Sequence, residues 1–144
     1  MTTKAFINLA VKDLGKTKDF FAKLGFSYNP QFTDDKAACM IINEDCAVML
    51  LKEEFFKTFT EKDLVDSHTS TEVLTAITVD SRESVDKMMD IALTSGAGES
   101  GDPREHGFMY GRAFSDPDGH IWEVLWMDMN AFTQQAKQEK AAPG

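Results

Sequence analysis

Apolar and polar residues alternate along Phe6-Ile-Asn-Leu-Ala-Val11, the period of two expected of a strand with one buried face. The period then lengthens. Leu14, Thr17, Phe20, Phe21 and Leu24 recur at helical spacing behind Asp13, a capping residue, and Gly25 closes the run. Three short strands are predicted near 26–32, 36–42 and 46–51. The same order of signals then returns. Val73 to Val79 alternates, Asp80 with Glu83 has the form of a capping box, and Val85, Met88, Met89 and Ala92 make a helical stripe ending at Gly96. Strands near 98–104, 108–115 and 120–127 complete the second copy. Superposing Val11 on Val79 sets Phe6 opposite Leu74 and Asn8 opposite Ala76. The chain reads as βαβββ twice, an α+β domain.

This division gives a first module over about 4–51, a second over about 73–127, and a polar tail from 128 to 144 in which Phe132 is the only large apolar anchor. Between the modules, Phe55, Phe56 and Phe59 fall on about one helical turn, and Thr60-Glu-Lys-Asp63 offers a second helix start. Segment 52–70 is therefore either a linker helix that covers a sheet edge or a lid. With 144 residues and 42% hydrophobic composition, a single globular domain is expected. No apolar run reaches the roughly 18 residues of a membrane span, and the first residues lack the build of a signal peptide, so the expected location is cytoplasmic. The net charge of −9, with no cluster of Lys and Arg, argues against nucleic acid or an anionic membrane as partner. Cys39 and Cys46 flank a hairpin turn at Asn43-Glu44-Asp45, where Ile42 should pair with Cys46 and Cys39 with Met49. The thiols are then not opposite each other and should be reduced.

The last strand carries the sharpest chemistry. Asp116-Pro117-Asp118-Gly119 has the residues of a tight turn. In the strand after it, Ile121, Glu123 and Leu125 share one face and Trp122, Val124 and Trp126 the other. A carboxylate in so apolar a strand calls for a partner, a ligand or a catalytic role.

The duplicated βαβββ unit, the Val11-Lys-Asp-Leu14 strand end, Leu24-Gly25-Phe26 and the final Asp-Pro-Asp-Gly-x-x-x-Glu together resemble the vicinal oxygen chelate superfamily. That group includes glyoxalase I, bleomycin-resistance proteins and extradiol dioxygenases. The resemblance covers about residues 4 to 127 and implies an eight-stranded, cup-shaped open barrel with helices on the convex side. Ile7, Leu9, Val11, Ile77 and Val79 would then face the helices, while Phe6, Asn8, Ala10, Leu74, Ala76 and Thr78 line the concavity. It also implies a homodimer and a small-molecule ligand or substrate.

Metal-dependent members would place His or Gln on the first and fifth strands and Glu on the fourth and eighth. Here those positions fall on Phe6, Leu74, Leu50 and Glu123, so no metal and no other cofactor is expected. His68 and His120 read as surface or turn residues. His106 opens the segment His106-Gly-Phe-Met-Tyr110-Gly-Arg112, which enters the strand beside the last. Tyr110 and Arg112 share one face of it; they either bind an anionic or carbonyl group beside Glu123 or tie Arg112 into a structural salt bridge with Glu123 or another acid. Three readings result. In the first, a metal-independent lyase or isomerase uses Glu123 as catalytic base, with Tyr110, Arg112 or His106 at the oxyanion. In the second, a non-catalytic protein of the bleomycin-resistance type sequesters an aromatic or amphipathic ligand against Phe6, Asn8, Leu50 and Leu74, with Glu123 orienting its cation. In the third, His106 and a partner subunit complete a metal site.

Overall fold

A computed structural model of the chain describes residues 3–130; the expectation for the tail around Phe132 lies outside the described residues. The fold is mixed α+β, with eight strands in two sheets and three α-helices among the described residues. No helix there is long and apolar enough to cross a membrane. The described residues divide into two compact units: those up to Glu72 together with Pro117–Gly119, and Val73–Asp116 together with those from His120.

In the first unit, β1 (Ala5–Val11), β2 (Ala37–Asn43) and β3 (Cys46–Lys52) form a sheet in the order β1-β3-β2, with β1 and β3 parallel. Helix α1 (Leu14–Lys23) follows β1, and the Asp13 carboxylate caps it by accepting the Lys16 N–H at 3.0 Å. Its apolar side, Leu14, Phe20 and Phe21, is buried, and the helix packs against β2 and β3. Leu9, Val11, Met40, Val48 and Leu50 form the buried face of the sheet.

The strand expected near 26–32 does not form. Pro30 supplies no N–H to a ladder, and the Asn29 side chain instead caps a 3-10 turn at Pro30–Phe32; only an isolated bridge, Tyr28 to Met40, remains. The β2–β3 hairpin pairs Cys39 with Met49 as expected, but Asn43 rather than Ile42 meets Cys46, because the register shifts between Ile41 and Asn43. Both cysteines are free, and burial pushes the Cys39 thiol up.

Between the sheets of the two units in sequence, α2 (Glu53–Phe56) packs against β1 and β3 and runs into a 3-10 turn at Lys57–Phe59. Phe55 and Phe59 meet edge to face at 5.2 Å, and the Lys36 ammonium lies 5.2 Å from the Phe55 ring. Phe59 is exposed. No second helix starts at Thr60, whose hydroxyl accepts the Lys62 N–H in a local turn and whose backbone is extended.

In the second unit, β4 (Leu74–Thr78), β5 (Gly98–Glu99), β7 (Met109–Ser115) and β8 (Ile121–Met127) run in the order β4-β8-β7-β5, and β6 (Arg104–Glu105) adds to β7. Helix α3 (Arg82–Thr94) is capped by Ser81, which accepts the Ser84 N–H at 3.0 Å, one residue later than the expected Asp80. Val85, Met89 and Ala92 are buried, and α3 packs against β5, β7 and β8. The core on that side is Phe114, Trp122 and Val124, with the Phe114 and Trp122 rings stacked 6.4 Å apart.

Candidate functional site: the Glu123 face of the second sheet

Side-chain alternation and register together decide what surrounds Glu123. Across β8 it aligns with Ala76 on β4 and with Ala113 on β7. Leu74, Thr78, Ile121 and Leu125 share its face, as does Gly111. Leu74 is 57% exposed, whereas Glu123 itself is half-buried. The residues paired directly with it are both alanines, which offer the carboxylate neither a cation nor a hydrogen-bond donor. Among the described residues no hydrogen bond or ion pair holds it. Leu125 lies over Gly111: a Cβ there would meet the Leu125 Cδ2 at 2.4 Å, so glycine lets that leucine lie flat on the sheet.

Tyr110 and Arg112 belong to the opposite face. They align with Trp126 and Val124, on the side that packs against α3, and so do not stand beside Glu123. The Tyr110 hydroxyl donates to Asp86 Oδ1 at 2.7 Å, and Arg112 donates to Asp86 Oδ1 and Glu99 Oε1 at 3.0 Å each. Arg112 is thus a structural salt-bridge residue, with acids other than Glu123 as its partners. The Tyr110 hydrogen bond, followed by that from Arg112, holds Asp86 below the usual carboxylate range. Beside this group the Arg82 guanidinium lies 5.3 Å from the Tyr110 ring and 5.2 Å from the Trp126 ring while bonding both oxygens of Glu105. His106 is exposed in the connection from β6 to β7, where its backbone N–H bonds Met109.

The two tyrosines give this geometry an optical readout. The bond to Asp86 raises the Tyr110 hydroxyl, and burial, with the Asp19 charge behind it, pushes Tyr28 up to about 12. Each raised phenol contributes stability that is complete below the unfolded value of about 10 and is lost as pH climbs through the folded one. Phenolate absorbance should therefore be well short of half-developed at pH 10 in native protein and about half-developed in urea. One full tyrosine ionising near pH 10 in the native state would contradict the assignment.

In the first unit, Phe6 is 53% exposed and Asn8 is exposed, on the face opposite the α1 core. Leu50 is not with them. It aligns with Leu9 and is 0% exposed, inside the core. The residue at the equivalent place is Met49, which aligns with Asn8 as Glu123 aligns with Ala76 in the second copy. The four positions that would supply metal ligands thus hold Phe6, Met49, Leu74 and Glu123. One carboxylate and one thioether do not fit a divalent ion that takes three or more N, O or thiolate ligands. Among the described residues no group of three or more His, Cys, Asp or Glu comes together elsewhere.

The Asp-Pro-Asp-Gly turn is committed to structure. Asp116 is buried, accepting the His120 N–H at 3.0 Å and the Trp122 indole N–H at 3.1 Å. Asp118 accepts the Lys12 backbone N–H at 2.9 Å and the buried Thr17 hydroxyl at 3.1 Å. These bonds hold the turn that leads into β8.

A family model described as the Glyoxalase/Bleomycin resistance protein/Dioxygenase superfamily matches residues 5–124. Among solved structures, hypothetical protein SA1046 from S. aureus is 29% identical, with a TM-score of 0.74 over 88% of this chain and 95% of that one. The bleomycin resistance determinant encoded on transposon Tn5 is 18% identical, with a TM-score of 0.60 over 88% of this chain and 99% of that one. The fosfomycin resistance protein FosX from Listeria monocytogenes, solved with Mn(II) and sulfate, is 19% identical, with a TM-score of 0.68 over 94% of this chain and 98% of that one. At such identities the last two share the fold. No curated protein matches the chain. With the family model matching residues 5–124, most of its length, the chain belongs to the glyoxalase/bleomycin resistance protein/dioxygenase superfamily.

Proposed function

We propose that this protein binds a small organic cation with an apolar or aromatic body, seated on the Glu123 face of the second sheet, and holds it without transforming it. The observation that carries this reading is the Glu123 carboxylate itself: half-buried, flanked by Ala76 and Ala113, and engaged by no donor among the described residues. A carboxylate so placed is available to a ligand ammonium or guanidinium, and exposed Leu74 beside it is suited to an apolar body. The net charge of −9 favours cations in the encounter. Base catalysis at Glu123 needs a donor at the developing oxyanion, and the two residues expected to supply it from β7, Tyr110 and Arg112, are on the other face.

Benzylamine and its uncharged counterpart benzyl alcohol test the reading by calorimetric titration. Benzylamine should bind with Kd on the order of 1 mM, as a small ligand with one charged contact does, and benzyl alcohol about tenfold or more weakly. Glu123→Gln should remove the difference while leaving the unfolding midpoint close to wild type. Equal affinities in the wild-type protein would overturn the proposal. Conversion of such amines, abolished in Glu123→Gln, would replace it with the base-catalysis reading.

A further inference from the structure

The second charge of this face comes from a strand only two residues long. β6 aligns Arg104 with Gly111 and Glu105 with Tyr110, so Arg104 belongs to the face of Glu123 and Glu105 to the face of α3. Glu105 is held by both nitrogens of Arg82, itself lying against the Tyr110 and Trp126 rings. That clamp fixes β6, and with it the side to which Arg104 projects. Arg104 is exposed, and among the described residues its guanidinium meets no acid.

We infer that Arg104 and Glu123 are the two ends of one binding site for a zwitterionic ligand, the carboxylate or other anionic group at Arg104 and the cationic group at Glu123. The inference rests on the proposed role of Glu123 and adds to it the ligand's second charge. From β6 to β8 is two strand spacings, and from Leu125, which aligns with Gly111, back to Glu123 is two residues. The Cα atoms of Arg104 and Glu123 are then about 12 Å apart. Between them the sheet offers Gly111, Ala113 and the Leu125 side chain, a floor without charge and with little bulk. Two opposite charges about that far apart, not paired with each other, match a short molecule with a charge at each end and a ring or alkyl body between.

The rigid pair of charges in 4-(aminomethyl)benzoate makes it the probe, with benzylamine and benzoate as its halves, each titrated by calorimetry. In wild type the zwitterion should bind at least about fivefold more tightly than benzylamine, the gain expected of one well-placed exposed ion pair. Arg104→Ala should abolish that gain and leave benzylamine affinity unchanged, and Arg104→Glu should make the zwitterion the weaker ligand of the two. Glu123→Gln should weaken both. Benzylamine binding through Glu123 with no gain from the carboxylate, or a gain that survives Arg104→Ala, would overturn the inference while leaving the cation site standing. A benzoate affinity that depends on Arg104 with no benzylamine binding would sink the Glu123 end, and failure of all three probes to bind would overturn both.

Discussion

Gly119→Ala is expected to destabilise the protein by about 3–5 kcal/mol, although it adds a single methyl group. Two independent costs combine. The glycine has φ +91°, a conformation in which an L side chain crowds its own backbone. A Cβ built there would also lie 2.7 Å from the His68 nitrogen and 2.8 Å from the Ser67 carbonyl carbon and oxygen. Those are backbone atoms of a turn that is itself tied down. Asp66 accepts the His68 N–H through its side chain and the Thr69 and Ser70 N–H groups through its carbonyl. Gly119→Asn separates the two costs, because asparagine tolerates a positive φ far better than alanine but carries the same Cβ. Urea unfolding should place Asn close to Ala if the collision dominates. A loss under 1 kcal/mol for Gly119→Ala would mean that the 66–70 turn yields freely, contrary to the hydrogen bonds that hold it.

Asp116→Ala is expected to cost a further-reaching loss of about 3 kcal/mol, centred on the entry to β8. Asp116 is 3% exposed and satisfies two donors, the His120 N–H and the indole N–H of Trp122, the latter 0% exposed in the core. Truncation leaves a buried indole donor without its acceptor, which is costlier than never having placed it there. The coupling is measurable. Trp122→Phe removes the orphaned donor, so Asp116→Ala in that background should cost about 1–2 kcal/mol less than in wild type. Strict additivity of the two substitutions would show that the carboxylate acts through something other than the indole.

The elements that could be read from the chain were those in which one face is buried against a helix. β1 and β4 alternate because Leu9, Val11 and Ile77 are core while Phe6 and Leu74 are not, and that periodicity survives in the letters. The helices announced themselves by apolar spacing and by Asp13, though at α3 the neighbouring Ser81 won the capping position from Asp80. Register was another matter. Leu50 and Met49 are both apolar, so the letters do not say which of them shares a face with Phe6 and Asn8; the parallel register of β1 and β3, which sets Met49 beside Asn8 and Leu50 beside Leu9, does. β7 was harder still. In Met-Tyr-Gly-Arg-Ala-Phe-Ser neither face is uniformly apolar, so pattern alone leaves open which side Tyr110 and Arg112 occupy. What settles it is their bonding to Asp86 and Glu99, earlier in the chain and without a motif. Glu123 was found for the opposite reason: a lone carboxylate among Ile, Trp, Val and Leu is visible without any structure.

Most of the Asp116-to-Trp126 stretch now has a structural purpose, with Asp116, Asp118 and Gly119 locking the turn and Trp122 and Val124 filling the core. Glu123 does not take part in any of it, and on that the functional reading depends. The benzylamine titration followed amide by amide in a two-dimensional NMR spectrum tests this most directly. The account predicts saturable shifts centred on Ala76, Ala113, Glu123 and Leu125, abolished in Glu123→Gln. Shifts centred instead on Asp86, Glu99 and Arg112, or the same shifts in the Glu123→Gln protein, would contradict it.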